Sequence, residues 1–352
     1  MKKLCFRTAA VWLAAVLFLS VPVSAAPSVS AKSAILLDAC TGRVLWEQNA
    51  GARSLIASTT KIMTGLLVAE ECNLDDRVEI PRQAVGTEGS SLYLKEGEVL
   101  SVRALLYGLM LQSGNDAAVA LALYCGGSME DFVDRMNEKA EDLGMKDTHY
   151  ANPHGLDDTE NYSTARDLAR LAAYAMDNPV FHQVVSTKTA VLENRNLTNH
   201  NKLLWRYEGA VGVKTGYTKS AGRILVSCAE RDGRRLVAVT ISDPNDWADH
   251  QALLDYGFEH YTLRPLLSAG EILAEVPVIS GGEELAQAVT GAAISYPLAE
   301  GERVTYEFDL PVFVFAPVLA GDQAGVLHLK IDGKETVSVP LYWRYSVLES
   351  GS

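Results

Sequence analysis

The chain lacks the short motifs that mark several classes of hydrolase. It has no HExxH sequence and no histidine pair at the spacing of metal ligands, which argues against a zinc peptidase. It has no GxSxG elbow either, so its seven histidines are not expected to serve a Ser/His/Asp hydrolase. We therefore predict no metal and no cofactor.

Cysteine is scarce, and no two of the five cysteines form a CxxC pair. Cys5 precedes an apolar run, where it cannot serve as a lipoprotein cysteine. The other four have largely apolar neighbours: Cys40, Cys72, Cys125 and Cys228. Export would permit disulfides, and buried thiols are an equally good account. The sequence therefore predicts no particular pairing.

The hydrophobic run near the N-terminus, from Ala9 to Leu19, is too short to span a bilayer. Three basic residues precede it, and the small residues of the following VSA sequence suit a signal-peptidase site. We expect residues 1–25 to be a signal peptide, cleaved after Ala25 or Ala26, rather than an uncleaved anchor. The protein would then be exported to the extracytoplasmic cell envelope, either secreted or peripherally associated with the membrane.

Positive charge is in short supply. The formal net charge is −13, and removal of the three basic residues of the leader, which has no acidic residue, leaves −16. Such an acidic surface argues against nucleic acid or anionic lipid as the main partner. No basic amphipathic helix that could lie on a bilayer follows the last predicted strand, so attachment to the membrane stays an open question.

Three short motifs stand out against these absences. They are an SxxK motif at Ser58 and Lys61, an SGN motif from Ser113 to Asn115, and a KTG motif from Lys214 to Gly216. A serine hydroxyl becomes a good nucleophile when a base takes its proton, and a neutral lysine one helical turn away can be that base. Together the motifs could supply a nucleophile, an amine base and a cationic substrate clamp.

The SxxK motif falls at the start of a helix predicted over residues 58–71, whose apolar residues fill one broad side. Burial, with Lys214 as a second cation, would lower the pKa of Lys61 toward neutrality. A chance origin would require Ser58 to be only a helix cap, the SGN motif only a turn and the KTG motif only a strand end, all at once. We therefore interpret the three motifs as one active site.

The predicted elements indicate an α+β domain over residues 26–263. Two apolar runs around Cys40–Gly42 predict a hairpin, a mostly helical segment extends from Ser58 to about Asn178, and strands return near Ala210. Asp232-Gly233 separates two further strands and is a strong hairpin signal. We expect the KTG motif at or near one strand of an antiparallel sheet.

Residues 264–352 predict a small all-β domain. Short β-patterned runs occur at 272–279, 303–310, 312–315, 325–331 and 336–343, with a turn at Asp332-Gly333. They contain no recognisable catalytic motif, so the chemistry is assigned to the first domain.

The motifs resemble those of the D-alanyl-D-alanine carboxypeptidases, the low-molecular-weight penicillin-binding proteins. The segments Asn152–Leu156 and Tyr162–Ala165 carry further similarity, which extends from about Lys32 to about Leu263. The resemblance implies a penicillin-binding-protein/β-lactamase-like fold with helices packed on an antiparallel sheet. The SxxK helix and the KTG strand would face each other across a cleft.

This resemblance implies a serine-type D-Ala-D-Ala carboxypeptidase that removes the terminal D-alanine from peptidoglycan stem peptides and that β-lactams inhibit covalently. Ser58 would be the nucleophile and Lys61 its base. Ser113 would relay a proton to the leaving amine, and Asn115 would hydrogen-bond the peptide.

The remaining roles concern the substrate. The backbone N–H groups of Ser58 and Tyr217 would form the oxyanion hole. Lys214 and Thr215 would bind the terminal carboxylate of the peptide, and Gly216 would let the substrate backbone approach closely. Some family members use an arginine downstream of KTG for this carboxylate, but residues 242–250 contain Trp247 and no arginine.

Two alternatives share the fold. A class A β-lactamase needs a glutamate in an ExxxN pattern, and no glutamate between Asn115 and Lys214 has an asparagine four residues later. We therefore expect a long-lived β-lactam adduct rather than rapid β-lactam hydrolysis. A catalytically silent wall-binding protein would require the loss of a motif, and none is lost.

Overall fold

The computed structural model describes residues 26–351, so the predicted signal peptide lies outside the described residues. The helices are α1 (Lys61–Glu71), α2 (Val102–Leu111), α3 (Asn115–Gly126), α4 (Met129–Asp142), α5 (Ala165–Ala175), α6 (Pro179–Ser186), α7 (Leu203–Arg206) and α8 (Asp246–His260), with 3₁₀ turns at Ala57–Thr60 and Arg82–Ala84. The strands are β1 (Ser33–Asp38), β2 (Val44–Gln48), β3 (Ser54–Leu55), β4 (Arg77–Glu79), β5 (Val99–Ser101), β6 (Tyr162–Ser163), β7 (Thr189–Leu192), β8 (Arg195–Thr198), β9 (Ala210–Thr218), β10 (Gly222–Arg231), β11 (Arg234–Ile241), β12 (Tyr261–Leu267), β13 (Ile272–Ile279), β14 (Leu285–Thr290), β15 (Ile294–Ala299), β16 (Val304–Asp309), β17 (Val314–Phe315), β18 (Gln323–Ile331) and β19 (Lys334–Trp343). None of the helices within this range is long and apolar enough to cross a membrane.

A five-stranded antiparallel sheet in the order β2-β1-β11-β10-β9 forms the centre of the first domain. Strand β1 lies between β2 and β11, so strands from both ends of the domain build one sheet. Successive side chains point to opposite faces: Ile35 joins the core formed with the middle helices, while Leu36 packs with Leu253 of α8. Helices therefore cover both faces, and the predicted α+β fold is confirmed.

The predicted Asp-Gly hairpin joins β10 and β11. Asp232 and Gly233 have φ of 50° and 74°, and the flanking Arg231 and Arg234 pair across the turn. Positive φ at both central residues matches the twist of the two strands. The hairpin places β11 on one side of β10, and β9, the strand that carries the KTG motif, pairs with the other side of β10.

One local detail differs from the sequence-based expectation. The predicted helix over residues 58–71 is a 3₁₀ turn, Ala57–Thr60, followed by α1. The KTG motif lies on a strand of the antiparallel sheet, as expected: it is inside β9, where Thr215 pairs with Leu225 of β10.

The structure shows the state of each of the four cysteines. Cys72 and Cys125 form a disulfide that joins the C-terminal end of α1 to the last turn of α3. Cys228 is a buried thiol and Cys40 is an exposed one. Each account therefore holds for some of the cysteines.

The second domain is all-β, as predicted. Its largest sheet has the order β16-β18-β19-β14-β13-β17, and its core contains Leu327, Leu341 and Trp343. Strands β12, β14 and β15 have no counterpart in the sequence prediction. Pro265 and Pro297 interrupt the patterns of β12 and β15, and proline is uncommon inside strands. The predicted boundary between residues 263 and 264 falls inside β12.

Arg43, in the turn between β1 and β2, joins the two domains. Its guanidinium forms an ion pair with Glu302 and donates to the carbonyl of Pro297. It also lies 5.1 Å from the ring centroid of Tyr261 and 5.5 Å from that of Tyr296. An arginine that combines a carboxylate with aromatic faces is well suited to fix the relative position of two surfaces.

Candidate active site

Ser58 lies in the 3₁₀ turn that leads into α1, and it is partly exposed. No side chain caps this turn, so Ser58 does not act as a helix cap. The preceding Ala57 has φ of 45°, a conformation that is uncommon for residues other than glycine and that clusters at functional sites. The turn leaves the serine hydroxyl available for another partner.

Lys61 is that partner. Its fully buried Nζ lies 3.0 Å from Ser58 Oγ and 2.6 Å from Asn115 Oδ1, and it also donates to the carbonyl of His154. The carbonyl oxygens of Asn115 and His154 can only accept hydrogen bonds. They therefore take both N–H groups of a neutral amine and leave its lone pair for the Ser58 hydroxyl.

The environment favours this neutral amine. Burial, and next the charge of Lys214, hold the pKa of Lys61 well below its ordinary value. Burial also lowers the pKa of Lys214 to about 7. The second cation that the sequence suggested is therefore present, and desolvation is the larger effect.

The SGN motif connects the two lysines. Ser113, between α2 and α3, has φ of 61° and is only 4% exposed, and its Oγ lies 3.1 Å from Lys214 Nζ. Asn115 begins α3, where it accepts from Lys61 and donates to the carbonyl of Glu88. One turn thus presents a hydroxyl to one lysine and an amide oxygen to the other.

Asp116 organises the rim of the cleft, a role that sequence reasoning missed. The carboxylate is fully buried and accepts hydrogen bonds from the backbone N–H of Leu92 at 3.0 Å, from that of Leu94 at 3.1 Å and from the Ser91 hydroxyl at 2.7 Å. These bonds hold the loop between the 3₁₀ turn at Arg82–Ala84 and β5 against the SGN turn. An acidic residue directly after the SGN motif was the available signal.

The segment Asn152–Leu156 holds Lys61 from the other side. Asn152 Oδ1 accepts from the N–H of Gly155 at 2.7 Å, which shapes a turn that directs the His154 carbonyl at Lys61. Burial, and next the charge of Lys61, lower the pKa of His154 to about 4, so its ring is neutral at physiological pH. This segment carried the family resemblance, but its contact with Lys61 needed the structure.

The KTG strand lies directly against the turn that carries Ser58. A Cβ at Gly216 would lie 3.3 Å from Ser58 N and 3.3 Å from Ile56 O. A side chain at position 216 would therefore be crowded by the protein's own turn. The Tyr217 side chain is 65% exposed beside it.

A cavity of about 320 Å³ opens over these residues. Of the eight sequence-predicted site residues, five line it: Ser58, Ser113, Thr215, Gly216 and Tyr217. The other three are buried: Lys61 contacts Ser58, Lys214 contacts Ser113, and Asn115 contacts Lys61. The lining residues that sequence reasoning missed include Ser90, His200, Lys202, Arg223, Asp246 and Trp247.

The comparison with known families decides the class of protein. The sequence profile of the D-alanyl-D-alanine carboxypeptidases, peptidase family S11, matches residues 21–245. This chain belongs to the D-alanyl-D-alanine carboxypeptidase family. The profile of the C-terminal domain of penicillin-binding protein 5 matches residues 261–348.

Individual carboxypeptidases are similar over nearly the whole chain. D-alanyl-D-alanine carboxypeptidase DacF of Bacillus subtilis is 35% identical over 91% of this chain and 87% of its own length. DacC of Escherichia coli is 34% identical over 93% of this chain and 86% of its own. The crystal structure of penicillin-binding protein 5 from Haemophilus influenzae superposes with a TM-score of 0.83 at 29% identity, covering 92% of this chain and 99% of that one.

Family membership confirms the predicted enzyme class. The protein is a serine-type D-Ala-D-Ala carboxypeptidase and a penicillin-binding protein, with the predicted β-lactamase-like first domain and all-β second domain.

Gly155→Ala should displace the turn that carries Ser58 and so impair the carboxypeptidase site. Gly155 has φ of +85°, and a Cβ there would lie 1.9 Å from the backbone oxygen of Ala57, next to Ser58. We expect penicillin acylation to slow by at least about tenfold and the free energy of unfolding to fall by more than the ~1–3 kcal/mol of backbone strain alone. Denaturant unfolding and acylation kinetics would measure both effects.

Gly86→Ala is the matched control, because Gly86 has a similar φ of +79° and a Cβ added there would have no neighbour within 4 Å. Gly86→Ala should therefore lose only the stability that backbone strain costs, because it introduces no steric clash. Equal losses of stability and activity in both variants would contradict a steric contact at Gly155.

The buried Lys214 should make stability rise with pH. Its pKa is about 7 in the folded protein against 10.5 for an ordinary lysine, so between these values the unfolded chain binds a proton that the folded one does not. Relative to Lys214→Met, the native protein should gain up to about 1.4 kcal/mol of stability for each pH unit from 7 to 10. Denaturant unfolding at pH 7.5 and 9.5 measures this gain, and the exposed Lys219→Met is the control. An identical stability difference at both pH values would contradict the burial effect.

Proposed function

We propose that this carboxypeptidase is exported to the cell envelope and trims terminal D-alanine from peptidoglycan stem peptides, contributing to cell wall biogenesis and cell shape. The observation that carries the proposal is the 3.0 Å contact between Lys61 Nζ and Ser58 Oγ at the base of the cavity. In this proposal residues 1–25 are the signal peptide, residues 26–263 the catalytic domain and residues 264–352 the β-rich C-terminal domain.

Acylation begins at Ser58. The lone pair of neutral Lys61 takes the hydroxyl proton while Oγ attacks the carbonyl carbon of the penultimate D-alanine. The carbonyl oxygen becomes an oxyanion, which the backbone N–H groups of Ser58 and Tyr217 stabilise. A Cβ added at Gly216 would lie only 3.3 Å from Ser58 N, and this closeness of β9 to the turn supports an oxyanion site that the two share.

Collapse of the tetrahedral intermediate breaks the peptide bond. The amine of the leaving D-alanine takes a proton through the Ser113 hydroxyl, which lies 3.1 Å from Lys214 Nζ. Lys214 and Lys61, the two amines of the site, are the proton reservoir for this relay. Asn115 hydrogen-bonds the peptide part of the substrate while it holds Lys61.

Water then hydrolyses the ester and regenerates Ser58. A β-lactam enters the same path, because its strained amide acylates Ser58. The absence of an ExxxN glutamate between the second and third motifs leaves no dedicated base for rapid deacylation. The penicilloyl adduct should therefore be long-lived.

The direct test is to incubate the purified protein with a stem peptide ending in D-Ala-D-Ala and to measure free D-alanine. We expect release from this peptide and none from the same peptide ending in L-Ala-L-Ala. Absence of D-alanine release by folded protein would overturn the proposal. Fast turnover of penicillin without a stable covalent adduct would favour a β-lactamase instead.

A further inference from the structure

The two lysines of the site are poorly placed to bind the substrate's terminal carboxylate. Lys61 is fully buried, and Lys214 is 2% exposed. The Lys214 amine already contacts Ser113 Oγ at 3.1 Å and the carbonyl of Thr215 at 2.9 Å. Because burial lowers the pKa of Lys214 to about 7, it carries only part of a positive charge at neutral pH. A peptide carboxylate in this cavity calls for a more permanent cation.

Arg223 meets this requirement. It lines the same cavity as Ser58 and Thr215, and 45% of its side chain is exposed. In the sheet it pairs directly with Tyr217 of the KTG strand, and residues paired in this way project from the same face. An arginine stays charged at every physiological pH and matches the two oxygens of a carboxylate.

Asp246, the first residue of α8, holds the guanidinium in place. Its carboxylate accepts from Arg223 Nε at 3.1 Å and from Nη2 at 2.7 Å, and its side chain is only 4% exposed. Within residues 26–351, Nη1 of Arg223 has no hydrogen-bond partner. One edge of the guanidinium is thus fixed to the protein and the Nη1 donors stay available.

A second cation lies nearby. Lys202 lines the cavity, and its Nζ lies 6.0 Å from the centroid of the Trp247 ring. The Arg223 guanidinium carbon lies 6.0 Å from the same centroid. Two exposed cations thus lie near one indole and line the same cavity as Thr215.

We propose that Arg223, oriented by Asp246, binds the C-terminal carboxylate of the D-Ala-D-Ala substrate together with the Thr215 hydroxyl, and that Lys202 adds attraction from the rim. The inference rests on the proposed function and names the specificity-determining cation of that same site. Asp246 acts here as a positioning residue.

The test compares two substrates that differ in one group: a stem peptide ending in D-Ala-D-Ala with a free carboxylate, and the same peptide as its C-terminal carboxamide. Arg223→Ala should lower kcat/KM for the carboxylate peptide by about 10- to 100-fold, mainly through KM, and change that for the carboxamide less than about threefold. Arg223→Lys should recover part of the loss. Asp246→Asn should raise KM for the carboxylate peptide alone, because it leaves the arginine without its orienting charge.

Arg264→Ala, an exposed arginine of β12, is the matched control and should behave as the native protein does. The inference is overturned if Arg223→Ala lowers kcat/KM equally for both peptides, which is the pattern of a structural role, or if it changes neither. Failure of the native protein to release D-alanine from the carboxylate peptide would refute the proposed function and the inference together.

Discussion

Ser58→Ala should abolish both D-alanine release and covalent labelling by penicillin. The substitution removes the atom that forms the acyl-enzyme, and within residues 26–351 no other hydroxyl has the Lys61 amine at 3.0 Å with its two N–H groups already directed at acceptors. We expect activity to fall by at least about 10⁴-fold, as for nucleophiles that act as a unit with their base. Gel fluorography with a fluorescent penicillin measures labelling, and a D-alanine assay measures turnover.

The fold should survive this substitution, since Ser58 is partly exposed and caps no helix. Its thermal unfolding should stay within a few degrees of the native protein. Ser220→Ala, at an exposed serine in the turn after β9, is the matched control and should label normally. Labelling that persists in folded Ser58→Ala protein would mean that another residue is the nucleophile.

Lys61→Met should have the second largest effect. Methionine fills a similar volume but cannot take the Ser58 proton, and general-base catalysis is worth about 10²–10⁴-fold. We expect the rate of penicillin acylation to fall by about 10³-fold. Because Asn115 Oδ1 and the His154 carbonyl lose their donor, stability should gain little from the removal of the buried amine. Lys139→Met, at a partly buried lysine that pairs with Glu70 and does not line the cavity, is the control.

The pH dependence of acylation follows from the same lysine. The base must be neutral, so the rate should rise with pH as Lys61 loses its proton. The midpoint should lie well below 10.5, since burial and the charge of Lys214 lower the pKa of Lys61. Acylation rates measured from pH 5 to 10 should show this rise in the native protein, and the residual rate of Lys61→Met should not rise in the same way. A midpoint near 10.5 would contradict the role of burial.

Much of the fold could be predicted because the local patterns are strong. The strand predicted at 272–279 matches β13 residue for residue. The Asp-Gly turns gave two hairpins, since few residue pairs accept positive φ at both central positions. Strand β14 was missed because its first four residues, 285–288, include no β-branched or aromatic residue, and Val289 and Thr290 alone are too short a run to predict a strand. The Cys72–Cys125 disulfide depends on how α1 and α3 meet, which the local sequence does not encode.

The part of the site that belongs to recognisable motifs could be predicted from the sequence. Ser58 and Lys61 are separated by one turn, so their proximity follows from local geometry. The distances from Lys61 to Asn115 and His154 are long-range, and only the folded chain brings these carbonyls to the amine. Arg223 was missed because the family's arginine was expected within residues 242–250, whereas the pairing of β10 with β9 places a different arginine beside the KTG strand.

Localising the acyl group would test the central claim most directly. The purified protein would be treated with benzylpenicillin, digested, and analysed by mass spectrometry for the peptide that carries the penicilloyl mass. We predict a single adduct on the Ser58 hydroxyl, stable over the time needed for digestion. An adduct on any other residue, or an unmodified protein after all the penicillin has been hydrolysed, would contradict the account.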